Sequence, residues 1–187
     1  MITRTLMSGK VARRSARAFA LAALTGSAAL AAGGAAHADS IDISWSSTYL
    51  ISASYDAQNV AVAGGSSSPG TRIIQWPTDD GAEQEWRFGN VIDNGQDIGT
   101  LIQNGGTGMC ITTDGNAGDG VYEEECEATA ASELFDVSGS LGSYDSIYNI
   151  SNGLYLDVSG YSGNEGANID LWYWNGQGNQ SFVTVPF

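Results

Sequence analysis

Residues 156–182 read LDVSGYSGNEGANIDLWYWNGQGNQSF, and residues 60–86 read VAVAGGSSSPGTRIIQWPTDDGAEQEW. Laid over one another without a gap, they place Trp172 on Trp76, Gln180 on Gln84 and Phe182 on Trp86. Self-similarity over such a span points to repeated units. A third copy lies between them. Gln84-Glu85-Trp86, Glu133-Leu134-Phe135 and Gln180-Ser181-Phe182 share the form Gln/Glu-x-aromatic, at spacings of 49 and 47 residues. Three units of just under fifty residues follow, at about 45–96, 97–142 and 143–187.

Working outward, each unit is built of short apolar–polar alternations. Thr100-Leu101-Ile102-Gln103, Ser146-Ile147-Tyr148-Asn149-Ile150 and Ser181-Phe182-Val183-Thr184-Val185 sit between turns rich in Gly, Asn, Ser and Asp. No window sustains a helical apolar period for three turns. Short, evenly spaced strands in repeated units predict an all-β chain.

The charges are unevenly placed. The 187-residue chain has a formal net charge of -14, yet Arg4, Lys10, Arg13, Arg14 and Arg17 all lie at the front. Ala18 to Ala32 is an apolar run, and Ala36-His37-Ala38 is a small-x-small site before Asp39. Residues 1–38 therefore read as a secretory leader, too short in its apolar part for a bilayer span of about twenty residues. The expectation is an exported chain of residues 39–187.

That chain keeps Arg72 and Arg87 as its two cations against 21 acids, a net charge of −19, with no lysine and no histidine. So acidic a surface repels phosphate backbones and anionic lipid, so neither nucleic acid nor a membrane is expected as a partner. Nucleophilic schemes that need an imidazole base lack it, and imidazole metal sites cannot be assembled. Cys110 and Cys126 are the two cysteines, and an exported pair normally oxidises. Two thiols without histidine make a poor zinc site.

Three repeats, each ending in Gln/Glu-x-aromatic, with a cysteine pair inside one of them, resemble the ricin-B-type β-trefoil lectins and carbohydrate-binding modules. Leu156-Asp157-Val158, Trp172 and Asn179-Gln180 carry the resemblance most strongly. It covers about residues 45–187 and implies a six-stranded barrel closed by three hairpins. It also implies that Trp86, Phe135 and Phe182 fill the barrel core. Tyr155 and Trp174 fall where repeat two has its cysteines, so an aromatic contact is expected in place of the disulfide. Trp45 and Tyr49 read as barrel-entry core.

A sugar needs a flat apolar platform for its C–H face and a rim of hydrogen-bonding groups for its hydroxyls. Repeat three supplies both. Asp170 and Trp172 alternate on one face of the strand 168–173, with Ile169 and Leu171 on the other. The resemblance implies a saccharide site of Asp157, Asp170, Trp172, Asn179 and Gln180. Trp172 and Asn179 stand 15 and 22 residues after Asp157, as in the family's subsites. Asp170 departs from the family, which often has Gln there. Repeat one has Ala61 and Glu83 at the places of Asp157 and Asn179, and repeat two has Thr112 and Glu124 at those of Asp157 and Trp172. Both read as degraded.

Two acidic runs bear on a metal. Asp114-Gly115-Asn116-Ala117-Gly118-Asp119, with Glu125 in twelfth place, departs from a calcium loop by swapping Gly and Asp at positions five and six. Glu123-Glu124-Glu125 reads as a solvated strand edge. No metal and no cofactor is expected. The chain thus reads as a secreted, monomeric, non-enzymatic glycan binder, with a galactose-type sugar or a polysaccharide such as xylan as partner. The alternative is a β-trefoil protease inhibitor or other protein-binding module, with the loop Ser66-Ser67-Ser68-Pro69-Gly70 as its contact.

Overall fold

Fourteen strands and four single-turn 3-10 helices make up the regular structure of the computed structural model, which describes residues 40–137, 142 and 144–187. No α-helix occurs among the described residues. The leader expected at 1–38 lies outside them. The described residues fall within one compact unit, His37–Phe187.

Repeat one contains β1 (Ile41–Trp45), β2 (Tyr49–Ala53), β3 (Asn59–Val62), β4 (Thr71–Trp76) and β5 (Trp86–Asp93). Repeat two contains β6 (Gln96–Asn104), β7 (Cys110–Thr112), β8 (Tyr122–Glu124) and β9 (Phe135–Val137). Repeat three contains β10 (Tyr144–Asp145), β11 (Ile147–Asn149), β12 (Tyr155–Val158), β13 (Ile169–Trp172) and β14 (Phe182–Pro186).

The pairing is antiparallel throughout. β2 pairs with β5 and β14, β5 with β6, β6 with β9, β9 with β11, and β14 with β10. β10 and β11 are halves of one strand interrupted at Ser146, so these pairings close a six-stranded ring. Closure satisfies the backbone groups that an open sheet would leave at its edges. Three hairpins, β3–β4, β7–β8 and β12–β13, lie off the ring. They join one another through the β4–β8 pairing and bridges at Ile74–Asn168 and Gly120–Asp170. This is the β-trefoil.

The repeat alignment drawn from sequence reappears as strand register. Tyr155 faces Trp172 and Asp157 faces Asp170 in the third hairpin. Asn59 faces Trp76 and Ala61 faces Ile74 in the first, and Cys110 faces Glu124 and Thr112 faces Tyr122 in the second. Trp86, Phe135 and Phe182 each open a ring strand and are wholly buried in one cluster with Ile51, Ile73, Ile102, Ile111, Ile147 and Leu156. The Trp86 indole donates to the Val60 carbonyl at 2.8 Å, so its one polar atom is satisfied. Tyr49 packs against this core, but Trp45 does not belong to it. Trp45 lies on β1, a strand added outside the ring along β5, and covers a second small cluster of Val91, Leu101, Cys110 and Leu134.

One position is tied differently in each repeat. Asn59 donates to the Thr78 hydroxyl at 3.0 Å in repeat one. Cys110 and Cys126 form a disulfide in repeat two, with their Cα atoms 4.9 Å apart. Tyr155 meets Trp174 in repeat three, ring centroids 4.9 Å apart, the aromatic contact expected there.

Candidate saccharide site in repeat three

The third hairpin presents alternate residues to opposite sides. Ile169 and Leu171 are fully buried in the core, while Asp170 and Trp172 line a half-open cavity of about 390 Å³. Asp157, opposite Asp170 in register, lines it from β12. The closing segment after β13 brings Asn175, Gln177 and Asn179, and the turn after β12 brings Ser159, Gly160 and Tyr161.

Asp157 is the hub. Its carboxylate accepts from Asn179 Nδ2 at 2.8 Å, Gln180 Nε2 at 2.7 Å and Asn175 Nδ2 at 3.3 Å. An ionised carboxylate has about four acceptor positions, so one remains for a ligand donor. Burial pushes the Asp157 carboxyl up, and the three amides pull it back. Asp170 is held up more strongly, at about 6, because burial and the neighbouring Asp157 charge outweigh a bond from Ser159. Asp170 Oδ1 is buried and has no hydrogen-bond partner among the described residues.

Gln180 requires a correction. Expected as a sugar contact, it is fully buried and does not reach the cavity. Its Nε2 donates to Asp157 and to the Tyr173 carbonyl at 2.9 Å, and its Oε1 accepts from Asn175 N at 2.8 Å. Both of its N–H donors are spent inside and its oxygen accepts from Asn175, so it positions Asp157. Asp157 and Asn179 are also nearly buried, at 4% and 3% exposure. Trp172 is the open member, at 45%.

Trp172 rests on repeat two. A Cβ on Gly118, which has φ +91°, would come within 3.2 Å of the indole Cζ3. Gly118 belongs to the run Asp114–Asp119. That run pairs with β13 through Gly118 N to Leu171 O at 2.7 Å and Leu171 N to Asp119 O at 3.1 Å. Asp114 accepts from the Tyr122 hydroxyl at 2.7 Å, and Asp119 accepts from Asn116 at 2.8 Å.

The equivalent places elsewhere are chemically different. Repeat one keeps Trp76 over a smaller cavity of about 200 Å³, floored by Ala61 and Ile74 with Asp79 and Glu83 at its rim. Repeat two has Thr112 opposite Tyr122, with Glu124 where the platform would be. Asn175, Ser159 and Tyr161 were not anticipated as lining residues. Tyr161 carried a usable signal, since the gapless alignment sets it against Gly65.

Residues 42–122 match the family model of the ricin-type β-trefoil lectin domain-like group. The match spans repeat one and part of repeat two. No curated protein matches the chain. Among solved structures, the chain resembles a designed three-fold symmetric protein, ThreeFoil, at 20% identity and TM-score 0.67, covering 75% of this chain and 99% of that one. It also resembles the C-terminal half of the earthworm R-type lectin, solved with GalNAc, at 19% identity and TM-score 0.60, covering 76% and 100%. A ricin B-like lectin of Macrolepiota procera, solved with lactose, aligns at 19% identity and TM-score 0.60, covering 76% and 98%.

Proposed function

We propose that this chain, whose fold is that of the ricin-type β-trefoil lectins, is an exported glycan-binding protein that holds saccharide in repeat three. The observation that carries the reading is the half-exposed Trp172 indole beside a carboxylate already fixed by three amides. The indole takes the apolar face of a pyranose ring. Asp157 and Asp170 accept from hydroxyls, and Asn179, whose Nδ2 is spent on Asp157 and Val158, offers the rim the remaining acceptor position of its oxygen. Fixing the acceptor beforehand removes part of the ordering cost of binding. The same fixation favours binding over catalysis, because Asp157 is held as an acceptor rather than left free to transfer a proton. Galactose-type sugars and xylan chains are the first ligands to test.

The experiment is a glycan array on protein lacking residues 1–38, followed by calorimetric titration and melting curves for variants. Trp172→Ala should abolish most binding with little change in melting temperature, since its ring is largely outside the core. Asp157→Asn should also lose binding, with some loss of stability because the Gln180 and Asn175 amide donors at Oδ2 would face an NH2 group. Trp76→Ala in repeat one should bind as the parent does. Trp172-independent binding, or array signal for proteins alone, would move the protein-binding alternative ahead.

The compartment belongs to the same proposal. The disulfide supports an oxidising destination. Mass spectrometry of material from the medium should find a chain starting at or near Asp39. A retained leader would sink that part of the reading.

A further inference from the structure

We infer that Tyr161 is a second aromatic wall of the repeat-three pocket, and that the pocket takes two adjoining residues of a sugar chain rather than one terminal residue. The inference rests on the glycan-binding reading above.

Register places the two aromatics on opposite sides of the carboxylates. Trp172 is level with Tyr155, and Asp170 with Asp157, two residues further along β12. That is a separation of about 7 Å along the strand. The chain then continues past Val158 into Ser159–Tyr161, so Tyr161 lies beyond the carboxylates from Trp172. Both aromatics line the same cavity, and both keep an open face, at 43% and 45% exposure. One pyranose ring stacked on Trp172 leaves Tyr161 uncovered. A second ring, linked to the first, covers it.

The backbone at Tyr161 is not one a tyrosine adopts by default. Its φ is +54°, in the left-handed region, where glycine is the ordinary occupant. Repeat one has Gly65 in the equivalent place with φ +59°, so the turn itself asks for glycine and repeat three carries an aromatic instead. Such a departure persists where surrounding structure enforces it. The enforcement is visible. The ring packs on Tyr55, centroids 4.5 Å apart. The Tyr55 hydroxyl is anchored at the Ser162 carbonyl and lies 3.1 Å from Gln75 Oε1. On the other side, a Cβ on Gly178 would stand 3.1 Å from the Tyr161 hydroxyl, so the side chain reaches the closing turn that carries Asn179. With Gly65 in this place, the repeat-one cavity is about 200 Å³ against about 390 Å³ here.

The test is Tyr161→Gly, which restores the residue that repeat one tolerates at this φ and so leaves the fold intact, with Tyr161→Phe as the conservative partner. Titration calorimetry with galactose and lactose, and with xylose and xylotriose, is run beside melting curves. The oligosaccharide of whichever pair the parent binds should weaken about three- to tenfold in Tyr161→Gly, as loss of one aromatic contact implies. The matching monosaccharide should lose less than the oligosaccharide does, and Tyr161→Phe should recover the oligosaccharide affinity. Equal effects on both sugars, or no effect on either, would overturn the inference while Trp172-dependent binding leaves the parent reading standing. A parent that binds no saccharide on the glycan array, or binds independently of Trp172, overturns that reading and the inference with it.

Discussion

Two tryptophans separate stability from recognition. Trp86 has no exposed surface and spends its indole N–H on Val60, whereas Trp172 leaves nearly half of its surface open over a cavity. Trp86→Ala should therefore cost about 3–5 kcal/mol, as truncation of a core aromatic does. It should affect sugar retention only through unfolding, which chemical denaturation beside retention at low temperature will separate. Gly118→Ala should act on the same site from a distance. It strains a φ of +91° and pushes on the Trp172 ring, so it should weaken saccharide binding while leaving Trp86 fluorescence native-like. Unchanged affinity in that variant would mean that the indole does not need its bed.

Repeat two shows how one element departs from its fellows. Glu133 occupies the place of Gln84 and Gln180 and keeps the acceptor bond of Gln180, taking Glu127 N at 2.8 Å as Gln180 takes Asn175 N. Both glutamines also donate, Gln84 to the Pro77 carbonyl at 2.7 Å and Gln180 to that of Tyr173. An ionised glutamate cannot donate. Burial, with the charges of Glu127 and Glu124, holds the Glu133 carboxyl up at about 7 against the pull of the Glu127 N–H. Glu133→Gln should therefore raise the melting temperature at pH 8 and do little at pH 5, where the native carboxyl is already protonated. A rise of equal size at both pH values would show that charge is not the cause. The disulfide belongs to this scale too. It spans 16 residues, so reduction should cost about 3 kcal/mol in the chain-entropy model. The fold should survive, because repeats one and three tie the same position with a hydrogen bond and a ring contact. Thermal melts with and without reductant check this.

At the scale of the molecule, the carboxyls perturbed by burial among the described residues all move one way. Asp157 and Glu123 are raised, Asp170 stands at about 6 and Glu133 at about 7, against ordinary values of 3.8 for Asp and 4.5 for Glu. The folded state thus binds more protons than the unfolded chain across that interval. The stability they contribute is complete below pH 4 and is lost as pH rises through 6 and 7. A net charge of −19 over residues 39–187 adds repulsion in the same direction. Melting temperature should fall between about pH 4.5 and pH 7.5, and added salt should recover part of the loss at the upper end. A melting temperature that climbs over this range would refute the assignment.

The order of elements was legible in the sequence because it is periodic. Gln84/Trp86, Glu133/Phe135 and Gln180/Phe182 recur at a spacing set by one barrel strand, one hairpin and one returning strand. The gapless match of 60–86 on 156–182 carried the hairpin register with it. Cys110 and Cys126 could be paired because the chain offers no third thiol. Trp172 and Asp170 could be placed on one face because strand alternation has a period of two, and Asp157 joined them through the family resemblance. The tertiary structure decided what depends on neighbours distant in sequence. Gln180 turned inward because Asp157 and Tyr173 take both its N–H donors and Asn175 donates to its oxygen. Trp45 left the barrel core because β1 lies outside the ring, beside β5. Gly118 became the bed of Trp172, and Tyr161 a wall of the pocket, only because separate repeats fold against one another. Local spacing dictates which residues share a face of a strand, and only packing between repeats dictates which of those faces meets solvent.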